Sequence, residues 1–210
     1  AGRPIANDGV EANDLIQWSF AEWRRLLAPG CCCCCCCGGG GGGPDPQFAR
    51  WSLWLDEAIG FKHMVVWDKG PIGMGWHYRR SYETVLVGQK PGAACRWFDT
   101  TDRVENILRK IPKIIPDAGE HPTPKPIALA AHFIGLHTEY GHLVMDPFMG
   151  AGSTLCACLN GGRRAILKAA GWRVVAECKA SNGWNREKLG RIRDWQPIYG
   201  QQKLRWEVST

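Results

Sequence analysis

The chain has 210 residues, 45% of them hydrophobic and 22% charged, which is enough for one ordinary domain with a real core and too apolar for a chain disordered throughout. No apolar run reaches bilayer length and no charged-then-apolar leader is visible, so the expected compartment is the cytoplasm with no membrane partner. The net charge of +6 is compatible with a polyanionic partner, because Lys and Arg neutralise phosphate in nonspecific nucleic-acid binding.

The first residue is Ala rather than Met, as in a fragment or processed chain. Residues 13–28 read as a helix, with Asn13 or Asp14 able to cap it and Ile16, Phe20, Trp23 and Leu27 forming a stripe. Pro29-Gly30 stops it. Seven of the eleven cysteines then follow in one run, 31–37. Neighbouring cysteines on a strand point to opposite faces, which excludes a useful disulfide framework, and zinc-site spacing is absent. The run reads as a buried strand of small apolar residues. Glycines 38–43 form a loop, and Asp45-Pro46 looks like a cap and first-turn proline. The next helix should bury Phe48, Trp51, Leu55 and Ala58.

Short apolar strands then alternate with helices: strands at 64–67 and 84–87, a helix at 127–137 opened by Pro126, a strand at 143–145 ending at Asp146, and a helix from Ser153 to Leu159 closed by Gly161-Gly162. This alternation argues for an α/β sheet covered on both faces. Pro112, Pro116, Pro122 and Pro124 mark an irregular stretch between the halves. His63, His77, His132, His137 and His142 show no metal spacing and read as structural, so no metal is expected.

The sharpest signal is the stretch from Leu143 to Thr154. A strand delivers Asp146 and a glycine turn, Gly150 and Gly152, directly into a helix whose amides and partial positive charge suit a carboxylate or phosphate. It is not a phosphate loop, which would carry Lys where Ser153 stands. It also lacks the third glycine of the dinucleotide fingerprint.

Asp146-Pro-Phe-Met-Gly-Ala-Gly152 resembles the S-adenosylmethionine loop of DNA adenine-N6 and cytosine-N4 methyltransferases. His121-Pro-Thr-Pro-Lys-Pro126 is similar to their His-Pro-Thr-x-Lys-Pro segment. The stretches Val66-Trp-Asp-Lys69, Gly75-Trp-His-Tyr-Arg-Arg-Ser-Tyr-Glu83 and Ile5-Ala-Asn-Asp-Gly9 also look like this family's core, and the cysteine run before the glycines and Pro-Asp-Pro is similar to a phage-type subgroup. The resemblance implies a Rossmann-like α/β sheet, circularly permuted because the target-side segments precede the cofactor loop, and incomplete at the N-terminus. It implies S-adenosylmethionine as cofactor and double-stranded DNA as partner. Asp146, Phe148, Gly150, Gly152 and Ser153 would line the cofactor, supported by His121, Thr123 and Lys125. Trp67, Lys69, Arg79, Arg80 and Glu83 would belong to the half that handles the target base, although Trp67 could equally be core and Arg79-Arg80 a solvated turn.

Two departures from the family pattern stand out. The catalytic Asp/Asn/Ser-Pro-Pro-aromatic tetrapeptide, which steers the amine while its aromatic stacks on a flipped base, does not occur; Asp45-Pro-Gln-Phe48 follows the glycine loop and is rejected. The expected place of the tetrapeptide is upstream of residue 5, so a fragment without catalytic residues, inactive as it stands, is the expectation. The acid that holds the cofactor ribose is expected near Ala169, whereas the first acid is Glu177 after the apolar run 172–176. Either an insertion has moved that acid to Glu177, or a methyltransferase domain at 1–166 is followed by a divergent tail at 167–210. Glu177-Cys-Lys179 is an E-x-K string of the type seen in PD-(D/E)xK nucleases, which leaves a nuclease fragment as one alternative. A non-catalytic remnant that binds DNA or cofactor is another. Adenine is the favoured target.

Overall fold

The computed structural model describes residues 12–37, 47–73, 77–115, 124–148, 150–169 and 172–176. α1 (Ala12–Leu26) forms on the expected stripe: Ile16, Phe20 and Trp23 recur at helical spacing and are buried, Phe20 completely. Asn13 departs from its expected capping role. It is buried, and its Oδ1 accepts a 2.9 Å hydrogen bond from Nε1 of Trp51, since an amide oxygen withdrawn from water must find a donor. Trp51 lies on α2 (Gln47–Ala58), whose buried face continues through Leu55 to Ile59 just beyond the helix. Phe48, expected on that face, is 38% exposed; it sits a turn before Trp51 and outside the packed cluster. Asp45-Pro46 and the glycine loop lie outside the described residues.

The cysteine run does form a strand, β1 (Cys32–Cys37), paired antiparallel with β3 (Tyr82–Gln89) from Cys32 opposite Gln89 to Cys37 opposite Thr84. It is less buried than its composition suggests. Cys35 is buried, but Cys31 to Cys34 are only half-buried, because β1 is an edge strand in the order β1-β3-β2-β4. β2 (Phe61–Asp68) pairs antiparallel with β3 and parallel with the two-residue β4 (Ile107–Leu108). β4 has no counterpart in the sequence reading, being too short for a periodic pattern.

The pleat sends alternate residues to two helical layers. Cys33, Cys35 and Leu86 pack with α1 and α2 on one face. Cys34, Val85 and Val87 pack on the other with Leu129 and Phe133 of α3 (Ile127–His137). At Gly88 a Cβ would come within 3.1 Å of both Cys33 Sγ and Leu55 Cδ1, so this glycine lets α2 lie directly on the β1–β3 pair.

α3 also packs through Ile134 against α4 (Ser153–Asn160), together with Leu155, Cys158 and Ala165. Behind them β5 (Leu143–Asp146) runs parallel to β6 (Arg164–Ala169), and β7 (Trp172–Ala176) returns antiparallel beside β6. The run 172–176, whose place in the fold the sequence left open, is therefore a strand of this sheet. Met145 of β5 reaches the α1–α2 cluster and Val144 the α3–α4 cluster. Strands with both faces covered by helices are the expected α/β architecture. Among the described residues no helix is long and apolar enough to cross a membrane.

The Asn13–Trp51 bond gives a direct test of the α1–α2 contact. Trp51→Phe should cost about 1–3 kcal/mol in urea unfolding, because it strands a buried oxygen. Adding Asn13→Ala to that variant should cost less than Asn13→Ala does in the parent chain.

Candidate functional site

The glycine corner takes its shape from the strand that enters it and the helix that leaves it. Asp146 ends β5, and its Oδ1 accepts a 2.9 Å hydrogen bond from the Phe148 amide, closing an Asx turn. The backbone then passes through Gly150 at φ 51° and Gly152 at φ 81°, the left-handed region that an L side chain enters only at a cost. Gly152 is the N-cap of α4, and no side chain caps the helix, so its first amides are left for another acceptor. A Cβ on Gly152 would meet no described heavy atom within 4 Å. Among the described residues, the glycine is thus required by conformation rather than by crowding. The Phe148 ring on the turn is 43% exposed.

Ser153, the first residue of α4, donates its hydroxyl to the Lys125 carbonyl. Lys125 in turn extends its ammonium to Glu83 Oε2, while Lys69 Nζ lies 3.2 Å from Glu83 Oε1. Four residues drawn from the two expected sets therefore meet. Glu83 at the start of β3 and Lys69 just past β2 stand for the target side, and Lys125 and Ser153 for the cofactor side. Burial pushes the Glu83 carboxyl up, but the charge and hydrogen bonds of Lys125 and Lys69 outweigh it and hold the group below its ordinary 4.5. Two ammonium groups on one carboxylate leave this cluster one net positive charge.

The other expected residues are spread more widely. Trp67 is core: it is 1% exposed, its Nε1 donates to the Ile111 carbonyl at 2.7 Å, and its ring backs Lys125 at 5.9 Å. It offers no face to a base. Arg79 is exposed and donates from Nε to the Gly73 carbonyl at 2.9 Å. Arg80 is half-buried in the same β2–β3 connection, where Ile72 and Tyr78 are 66% and 87% exposed. His121, Thr123 and Glu177 lie outside the described residues. Ala176, just before Glu177, pairs with Ala165, whereas Asp146 pairs with Leu167 two residues further along β6. The chain thus leaves β7 at the end of the sheet away from the corner, about 7 Å short of Asp146 along the strand.

The histidines divide. His132 packs edge-on to Phe133, and His142 edge-on to Phe98. Burial pushes both His132 and His137 down, and the charge of His137 adds to the effect on His132. His137, however, stands with Cys32 and Cys95 in a group with metal-ligand chemistry. Its members are 63 and 42 positions apart in the sequence, so no local spacing could have announced it.

A family model described as DNA methylase matches residues 10–175, from just before α1 into β7. The type II methyltransferase M.HhaII of Haemophilus parahaemolyticus is 29% identical over 115 residues, 54% of this chain and 49% of its own length. The type II methyltransferase M2.DpnII of Streptococcus pneumoniae is 29% identical over 148 residues, 58% of this chain and 54% of its own. The chain thus spans about half the length of these curated relatives. Among solved structures, the M1.HpyAVI–SAM complex shares the fold with a TM-score of 0.61 at 24% identity, over 77% of this chain and 79% of that one. A match that runs from before α1 into β7, on a fold of this kind, makes the chain a member of the DNA methylase family.

Proposed function

We propose that the chain carries the cofactor corner and part of the target-side face of a DNA amino-methyltransferase. The enzyme would move a methyl group from S-adenosylmethionine to the exocyclic amine of a base in double-stranded DNA, adenine N6 in preference to cytosine N4. The observation that carries this reading is the corner: an uncapped helix start at Gly152, reached through left-handed glycines, with the exposed Phe148 ring on the same turn. When bound, S-adenosylmethionine supplies an electrophilic methyl on a sulfonium sulfur. The amides at the start of α4 suit its carboxylate, and Phe148 offers a flat apolar surface to its adenine. Asp146 and Gly150 shape the turn, and Ser153 and Lys125 hold the corner to the neighbouring segment.

On the target side, Lys69 and Glu83 stand where the β2–β3 connection leaves the sheet, and the exposed Tyr78 and Arg79 on that connection suit a DNA backbone or groove. The overall charge of +6 supports the same partner. The order of the segments, target side before cofactor corner, supports a permuted chain. The amine itself needs acceptors, which in this family a polar-Pro-Pro-aromatic tetrapeptide supplies. The 210 residues contain no Pro-Pro pair, so transfer is expected only from a polypeptide that carries such a segment as well.

Calorimetry of the chain with S-adenosylmethionine should give saturable binding. Gly152→Val should weaken it at least about tenfold, because a β-branched residue in the left-handed region costs roughly 1–2 kcal/mol or distorts the turn. A polypeptide extended to include the tetrapeptide should transfer radiolabelled methyl to duplex DNA and yield N6-methyladenine on hydrolysis. N4-methylcytosine would overturn the adenine preference. Binding without any product across varied duplexes would leave a non-catalytic remnant.

The Glu83 cluster makes a prediction about pH. A carboxyl held below its ordinary 4.5 in the fold stabilises the protein above that pH, and loses the contribution as pH falls through the lower folded value. Thermal unfolding should therefore show Glu83→Gln destabilised near pH 7, with the gap to the parent chain narrowing below about pH 4.5. A gap independent of pH would contradict this.

A further inference from the structure

Three side chains distant in sequence converge at the β1 edge of the four-stranded sheet. Cys32 opens β1, Cys95 lies in the segment after β3, and His137 is the last residue of α3. The Sγ atoms of Cys32 and Cys95 are 3.5 Å apart. A ring nitrogen of His137 joins them, so that all three donor atoms lie within 4.8 Å of one another. The strand pleat explains the meeting. Cys34 packs on the α3 side of the sheet, and Cys32, two residues earlier, shares that face. His137 is held in place by a 3.2 Å hydrogen bond between Nδ1 and the carbonyl of Arg96, the neighbour of Cys95. The Trp97 ring packs edge-on against it at 5.2 Å.

Distances favour a metal over a disulfide. Tetrahedral zinc, with bonds of about 2.3 Å to sulfur, sets two thiolates about 3.8 Å apart, whereas a disulfide needs about 2 Å. The observed 3.5 Å is close to the first. Even the widest pair, at no more than 4.8 Å, needs to close by only about 1 Å to reach ligand geometry. Two thiolates with an imidazole select zinc-class ions over magnesium or calcium, which take oxygen donors.

We propose that Cys32, Cys95 and His137 form a binding site for a zinc-class divalent cation. The cation pins the edge strand β1 and the segment after β3 to the end of α3. Binding makes two metal–sulfur bonds and one metal–nitrogen bond and releases the two thiol protons to solvent, with no change of oxidation state. The fourth position opens to water on the side of Cys95, which is exposed. Cys33 does not take part, because it faces the α1–α2 layer.

The test is a titration of the reduced chain with Co²⁺, without oxygen. A thiolate-to-cobalt charge-transfer band should saturate at one equivalent with the intensity of two cobalt–sulfur bonds, and Zn²⁺ should displace it. Cys95→Ser and His137→Ala should each weaken binding by more than about tenfold, the least that losing even a supporting outer group costs. Circular dichroism should confirm that the metal-free variants stay folded. Cobalt binding unchanged in both variants would assign the metal to the cysteine run alone and overturn the proposal. So would the absence of a charge-transfer band in the reduced chain, or a Cys32–Cys95 disulfide with no metal uptake after reduction.

Discussion

The carboxylate of Glu83 sits between two ammonium groups that arrive from different parts of the chain, and this contact ties the site together. Lys69 comes from the end of β2 and Lys125 from the segment that opens α3. The Lys125 backbone carbonyl meanwhile receives the Ser153 hydroxyl at the first turn of α4. One residue therefore holds the strand pair of the first sheet with its side chain and the glycine corner of the second with its backbone. A half-buried carboxylate with a single partner would bear much of its desolvation cost uncompensated; with two it is held ionised. The completely covered Trp67 ring behind Lys125 limits where that ammonium can go.

This bridge depends on a layered fold in which strand parity decides destination. The run of identical cysteines makes the point plainly, since composition cannot distinguish its members. Cys33 and Cys35 join the α1–α2 layer, Cys34 joins the α3 layer, and Cys32 meets Cys95 and His137 on that same side. Geometry alone assigns three environments to one residue type. The same alternation in β5 sends Met145 and Val144 to opposite layers and leaves Asp146 at the strand end, where its carboxylate closes the turn.

Much of this was legible beforehand, for identifiable reasons. α1, α3, α4 and β5 carry periodic apolar patterns or sharp Pro and Gly boundaries, and they form within a residue or two of where those signals fall. The corner was legible because Asp146, Gly150 and Gly152 impose local backbone geometry that needs no distant partner. What stayed hidden depends on tertiary neighbours. Asn13 has the chemistry of a cap and is recruited instead by an indole from another helix. Trp67 could have served the core or the target base, and only its burial decides between them. The two-residue β4 is recruited by pairing with β2. Segment 172–176 looked detachable because its following acid had no partner in the pattern, yet its backbone pairs along β6.

The central claim is that the turn between β5 and α4 seats S-adenosylmethionine. Hydrogen–deuterium exchange with and without the cofactor addresses it residue by residue. Slower exchange on cofactor addition is expected in the amides of 148–155 and around Lys125, with the α1–α2 layer unchanged. Protection confined to other segments, or none at saturating cofactor, would contradict it.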